Sequence, residues 1–353
     1  MSFRCGSRRW TCRSPPIARA LHALVERGDT GYPGDTPYLE AFASFARDSW
    51  GWEVPVATAR PAASVITAYT DTLADATDLG GTVVVTSPAY PPFYLYLRQA
   101  GRTVAEAPLD ADLRLDFASL ERAFASATEG GARAGFLLCN PHNPGGTVHT
   151  RDELAAVADL AARYGVQVVS DEIHAPIVYE GAEFVPYLSV DPRGIAIHAA
   201  SKGWNLAAIP AAVLVFGADA LVAAERYDAG KHAHATHWGA VAQTAAYNEG
   251  REWLADLVAG LDRNRHLLAS LVAERLPGVR YHLPAATYLT WLDCRALDLG
   301  DDPAAAFLSR GRVALNHGHT FGTGGAGHVR VNIATSPEIL TEAVDRMAAT
   351  LVG

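Results

Sequence analysis

Apolar residues fall in short runs at 82–86, 103–107, 135–139, 166–170, 195–199 and 212–216, each too brief for a helix, and they read as strands. Between them, apolar residues recur at helical spacing. The clearest such stretch is 150–165. Thr150 and Glu153 form a capping box, Leu154, Val157, Ala158 and Ala161 make the apolar stripe, and Gly165 ends the helix. Earlier, Thr36 and Pro37 read as the N-cap and first residue of a helix that carries Tyr38, Phe42 and Phe45 on one face. Strand and helix in alternation predict an α/β fold with a mostly parallel sheet. Sites in such sheets gather at the carboxyl ends of the strands. A long helical stretch, 253–276, leads to a second αβ region. It holds a strand at 288–292, the glycine-rich turn FGTGGAG (321–327) running into HVRVN, and a final helix. The expected organisation is an N-terminal segment 1–31, a large domain 32–252 and a smaller C-terminal domain 253–353.

Composition narrows the class. Hydrophobic residues make up 49% and charged residues 19%, enough for a sizeable core. Acidic residues outnumber basic ones by 38 to 29, which argues against nucleic acid or an anionic membrane as a partner. Cys5, Cys12, Cys139 and Cys294 form no CxxC pair, and no signal peptide or membrane-spanning run is evident. A cytoplasmic protein is expected.

One strand end poses a chemical question. VVSDEIH (168–174) runs from apolar residues straight into two carboxylates and a histidine, and a buried carboxylate there needs a cationic partner. Three other strand ends carry distinctive groups. CNPHNPGG (139–146) offers an amide, HAASKGWN (198–205) a lone lysine between small residues, and SPAYPPF (87–93) an aromatic ring. Together they describe a cradle for a flat, phosphorylated, positively charged ring. Pyridoxal 5'-phosphate (PLP) has these needs: a lysine for its aldehyde, a carboxylate for its ring nitrogen, a donor for its ring oxygen and a stacking face.

In this order the motifs resemble the class I/II aminotransferase superfamily of PLP fold type I. The resemblance is strongest to the cystathionine β-lyase (C–S lyase) branch of MalY/PatB type, which shows NPHNPTG, SDEIH and SKTFNL-like segments. It implies a large domain with a mostly parallel mixed sheet flanked by helices, plus a smaller α/β C-terminal domain. It makes Lys202 the Schiff-base lysine, Asp171 the partner of the ring nitrogen, Asn143 the donor to the ring oxygen and Tyr90 the stacking ring. Ser64 and Val65, in AASVITAY, match the helix N-terminus that receives the phosphate. Tyr32, in TGYPG, matches the tyrosine that reaches the neighbouring subunit's phosphate, which implies a homodimer. Arg330, in HVRVNIA, matches the arginine that binds the carboxylate of an amino-acid substrate. His174 reads either as a second group near the ring oxygen or as a packed histidine, and Glu172 as structural.

The implied activity is β-elimination from cystathionine or cysteine S-conjugates, releasing a thiol, pyruvate and ammonia. Amino-acid transamination is the alternative, and a weakly catalytic PLP-fold regulator is the reading from another class. Pro210 stands eight residues after Lys202, where aminotransferases proper carry a phosphate-binding arginine, and this favours the lyase. Gly145 replaces the threonine of NPTG. The histidines of KHAHATHWG (231–239) come with no carboxylate or cysteine, so no metal is expected there, and by resemblance the segment lies near the dimer interface and the substrate mouth. CGSRRWTC (5–12) stands where this branch has a segment like MWVADMDF over the active site. It reads as out of frame, and with Arg4, Arg8, Arg9 and Arg13 offering no apolar face, residues 1–14 are expected to pack poorly.

Overall fold

Seven strands form the main sheet, in the order Ala59–Ala62, Ala212–Phe216, Ile195–His198, Gln167–Asp171, Gly135–Cys139, Thr82–Ser87, Thr103–Pro108. This is a computed structural model, and it describes residues 3–4, 14–31, 36–229 and 234–351. Ala212–Phe216 alone runs against the other six, so the sheet is mixed and mostly parallel. The six expected strands are all present. The seventh, Ala59–Ala62, reads ARPA and has no apolar run to announce it. Its Pro61 is tolerated because an edge strand leaves one row of backbone donors unpaired.

Successive side chains of each strand enter different cores. Val83, Val85, Leu137, Cys139 and Val169 pack against Ala68, Tyr69 and Leu73 of the helix Val65–Ala76. Val84, Phe136, Leu138 and Val168 pack on the other face against Phe124, Leu154, Val157 and Ala161. Burying one such side chain stabilises the fold by roughly 1.5–3 kcal/mol, which is why the parallel strands are apolar throughout.

The helix Arg151–Tyr164 has the expected box. The Thr150 hydroxyl accepts from the Glu153 N–H at 3.2 Å, and the Glu153 carboxylate accepts from the Thr150 N–H at 2.7 Å. Gly165, at φ 67, supplies the left-handed C-cap. Thr150→Ala should cost about 1 kcal/mol, read as a lower urea midpoint at an unchanged slope. The Thr36–Pro37 expectation needs correction. Pro37 itself occupies the N-cap at φ −76, ψ 40, so the helix is Tyr38–Trp50 and Thr36 caps nothing. Tyr38, Phe42 and Phe45 are buried as expected.

The long helix Arg251–Arg275 leads to a second, antiparallel sheet ordered Asn316–His317, His328–Asn332, Leu289–Asp293, Arg280–Tyr281. The closing helix Pro337–Ala349 shares a core with it through Leu340, Val344 and Met347. Of the N-terminal 14 residues, Phe3–Arg4 pair in parallel with Val313–Ala314, and Ser14 is the buried N-cap of the helix Pro15–Glu26. These three are the described residues among the first 14, and Ser14 caps through its carbonyl, which accepts from the Ala18 N–H at 3.1 Å. CGSRRWTC itself lies outside the described residues. Among the described residues no helix is long and apolar enough to cross a membrane.

Candidate active site

Parallel register brings the first two motifs together. Cys139 lies beside Asp171 at the ends of neighbouring strands, and the Asn140 N–H donates to the Asp171 carbonyl at 3.1 Å. The loops carrying Asn143 and His174 therefore leave the sheet side by side. Ser64, Val65, Tyr90, Asn143, Asp171, His174 and Lys202 all line one cavity of about 140 Å³. Seven of the nine expected site residues thus meet in one place.

The two carboxylates of VVSDEIH part company. Asp171 faces the cavity, whereas Glu172 turns away into the protein. There it accepts from the Ser170 hydroxyl at 2.9 Å and the Tyr187 N–H at 2.8 Å, with His198 Nε2 3.1 Å from its second oxygen. Glu172 is structural, as expected. Burial pushes the Asp171 carboxyl up to about 7, although the Ile173 N–H bond (3.1 Å) and the charge of Lys202 pull the other way. A buried carboxyl of this kind gains most from a cation seated over it.

Burial disfavours the charged form of two histidines at or near the cavity. Burial, with the charges of Lys202 and Arg330, holds His174 well below its ordinary value, and His174 Nδ1 has no hydrogen-bond partner in the structure. His142 is pushed down to about 3, chiefly by burial. Its Nε2–H donates to the Pro88 carbonyl at 3.1 Å, and its Nδ1 accepts from the Gly145 N–H at 3.3 Å. It thereby joins the loop of Asn143 to the loop of Tyr90.

At another edge, Ser64 N-caps the helix Val65–Ala76. Its hydroxyl accepts from the Thr67 N–H at 3.1 Å and its carbonyl from the Ala68 N–H at 2.9 Å. The N–H groups of Val65 and Ile66 precede the first intrahelical bond, and both residues line the cavity. Pro210 lines it as well, and among the described residues no arginine does.

Arg330 sits just outside, buried and tied to the cavity through Asn143. One guanidinium nitrogen donates to Asn143 Oδ1 at 2.8 Å, another to Asn316 Oδ1 at 3.0 Å, and the group lies 5.0 Å over the Phe321 ring. With its oxygen engaged, Asn143 keeps its amide N–H₂ as the end that can donate. Tyr32 lies outside the described residues, as do Lys231 and His232. His237 Nε2 is 3.0 Å from Asp29. Sequence reasoning missed Tyr69, Ser201, Asn316 and Phe321. Ser201 adjoins Lys202 and was within reach of the motif. Asn316 and Phe321 come into play only through the register of the second sheet.

The family model for aminotransferase class I and II matches residues 39–347. A Mycobacterium leprae protein ascribed cystathionine β-lyase activity is 46% identical over 96% of this chain and 89% of its own. The cystathionine β-lyase of Corynebacterium glutamicum is 33% identical over 97% of this chain and 90% of its own. Among solved structures, a Corynebacterium diphtheriae protein ascribed PLP-dependent β-cystathionase activity superposes with a TM-score of 0.88. It is 32% identical, over 98% of this chain and 90% of its own. With its strand ends, cavity and length all in agreement, the chain belongs to the class I and II aminotransferase family, in the branch that holds these cystathionine β-lyases.

Proposed function

We propose that the chain is a PLP-dependent carbon–sulfur β-lyase acting on cystathionine or cysteine S-conjugates. The carrying observation is that Lys202, Asp171, Asn143 and Tyr90 share one cavity with the start of the helix Val65–Ala76, while Pro210 stands in its wall. The residues fit the cofactor. A buried carboxyl raised to about 7 suits the ring nitrogen, the buried His174 Nδ1 without a hydrogen-bond partner suits a polar ring substituent, and the helix N–H groups suit a phosphate.

When bound, PLP supplies an electron sink for the bonds at the substrate's Cα. Lys202 Nζ would hold the cofactor's aldehyde and would serve as the base for the substrate's Cα proton. Asp171 would keep a proton on the ring nitrogen, Asn143 Nδ2 would donate to the ring oxygen, and Tyr90 would cover one ring face. Arg330 takes the substrate carboxylate with two parallel N–H bonds. The β-carbon–sulfur bond then breaks with loss of the thiolate, and water completes the balance: cystathionine and water give homocysteine, pyruvate and ammonia.

The domain reading keeps the boundaries 32–252 for the cofactor-binding domain and 253–353 for the smaller one. The same resemblance supports a cytoplasmic homodimer in which Tyr32 serves the partner's site.

The reaction class is tested without a 2-oxo acid. A transaminase must retain its cofactor when the lysine link is gone, and charge-assisted phosphate contacts do that work. Among the described residues no arginine lines this cavity. Pyruvate and ammonia should form steadily from cystathionine alone, with only slow transamination. Turnover that stalls and resumes on adding a 2-oxo acid would give the transaminase reading the field.

A further inference from the structure

Arg330 rests on the ring of Phe321, and Phe321 is held by the loop and helix that flank Tyr90. Its carbonyl accepts from the Ala89 N–H at 2.8 Å, next to Tyr90, and lies 3.1 Å from the Tyr94 hydroxyl. That hydroxyl is also 2.6 Å from Glu106 Oε1. Glu106, on the edge strand Thr103–Pro108, accepts in turn from the Thr323 N–H, at 3.3 and 3.2 Å to its two oxygens. Between them sits Gly322 at φ 86, where a Cβ would come within 2.1 Å of the Glu106 carboxylate and 2.2 Å of the Tyr94 hydroxyl. The glycine-rich turn is thus clasped at Phe321 and Thr323, with Gly322 packed between them, by the Tyr94 and Glu106 side chains and the Ala89 amide. Neither Tyr94 nor Glu106 lines the cavity that holds Lys202 and Asp171.

We propose that Tyr94 and Glu106 are positioning residues for substrate-carboxylate recognition. They fix the Phe321–Thr323 turn, and with it the floor under Arg330, at a set distance from Tyr90 and the ring it covers. The inference rests on the reading that Arg330 takes the substrate carboxylate. A guanidinium that binds a carboxylate through two parallel bonds tolerates little displacement, so a loosened floor reduces carboxylate affinity before it affects the chemistry at Cα.

The test uses the PLP-loaded enzyme and two ligands that differ in the carboxylate, L-alanine and ethylamine, with binding followed by the change in the cofactor's visible absorbance. Tyr94→Phe should weaken L-alanine about tenfold, the effect of one ordinary buried hydrogen bond, and ethylamine less than about twofold. The KM for cystathionine should rise in step while kcat holds within about twofold. Glu106→Ala should behave like Tyr94→Phe, and Glu106→Gln, which keeps an acceptor for the tyrosine, should recover much of the loss. Equal weakening of both ligands, or a fall in kcat at constant KM, overturns the proposal in favour of a general structural role. Arg330→Lys separates the two readings. If it weakens L-alanine selectively and the Tyr94 and Glu106 variants do not, the clasp is wrong and the carboxylate role stands. If Arg330→Lys weakens neither ligand, the carboxylate role fails and the clasp with it.

Discussion

Lys202→Ala is expected to lower β-elimination by at least about 10³-fold, because it removes both the covalent hold on the cofactor and the base for the Cα proton. The experiment is unusually clean in this chain, which has only two lysines, Lys202 and Lys231. Borohydride reduction of the wild-type enzyme should fix the cofactor to the peptide containing Lys202. In the variant no peptide should carry it. A cofactor adduct on Lys231, or turnover within about tenfold of wild type, would overturn the assignment. The fold should survive, since Lys202 follows a strand end in a turn between Ser201 and Gly203 and contributes to no apolar core. Far-UV circular dichroism of the variant should match the wild type.

How much of this was legible depends on the range over which each feature is decided. The six apolar strands and the capping box at Thr150 are local, settled within a few residues by periodicity and side-chain chemistry, and the structure contains all of them. Asp171 was legible for a different reason. A carboxylate at the end of a buried strand conflicts with local preference, and such conflicts gather at functional sites. The unforeseen parts are those decided at long range. Ala59–Ala62 is a strand only because Ala212–Phe216 offers it an edge. Asn316 reaches Arg330 because the second sheet places the two opposite each other. Tyr94, inside PPFYLYLRQ, reads as one more aromatic on a helix, and its role emerges only when Glu106 and Phe321 arrive from two other segments. Pro37 shows a smaller limit, since its ring fixes φ without deciding whether the residue opens the helix or stands just before it.

Asp171→Asn should separate the catalytic value of the carboxylate from its structural cost. In the loaded enzyme the amide cannot hold a proton on the ring nitrogen by charge, so the negative charge developing at Cα is less stabilised. Loss of one preorganised electrostatic partner costs on the order of 10²–10³ in rate, and kcat should fall by that amount with the cofactor still bound. In the cofactor-free protein the sign reverses. Asp171 titrates near 7 when folded because burial penalises its charge, and near 4 when unfolded. Below pH 4 both states hold the proton and no penalty exists. Between about 4 and 7 the unfolded chain gives up its proton while the folded protein keeps it, so the unfolded state binds fewer protons and stability falls as pH rises. Above 7 the full penalty is present. Asparagine has no such titration, so the cofactor-free variant should gain thermal midpoint relative to wild type as pH goes from 5 to 8. A difference independent of pH would mean that Asp171 is not held near 7 in the folded protein. Near-normal kcat in the loaded variant would mean that Asp171 is not the partner of the ring nitrogen. The two measurements are independent, and only a buried carboxylate that awaits a cation predicts both a loss with the cofactor and a gain without it.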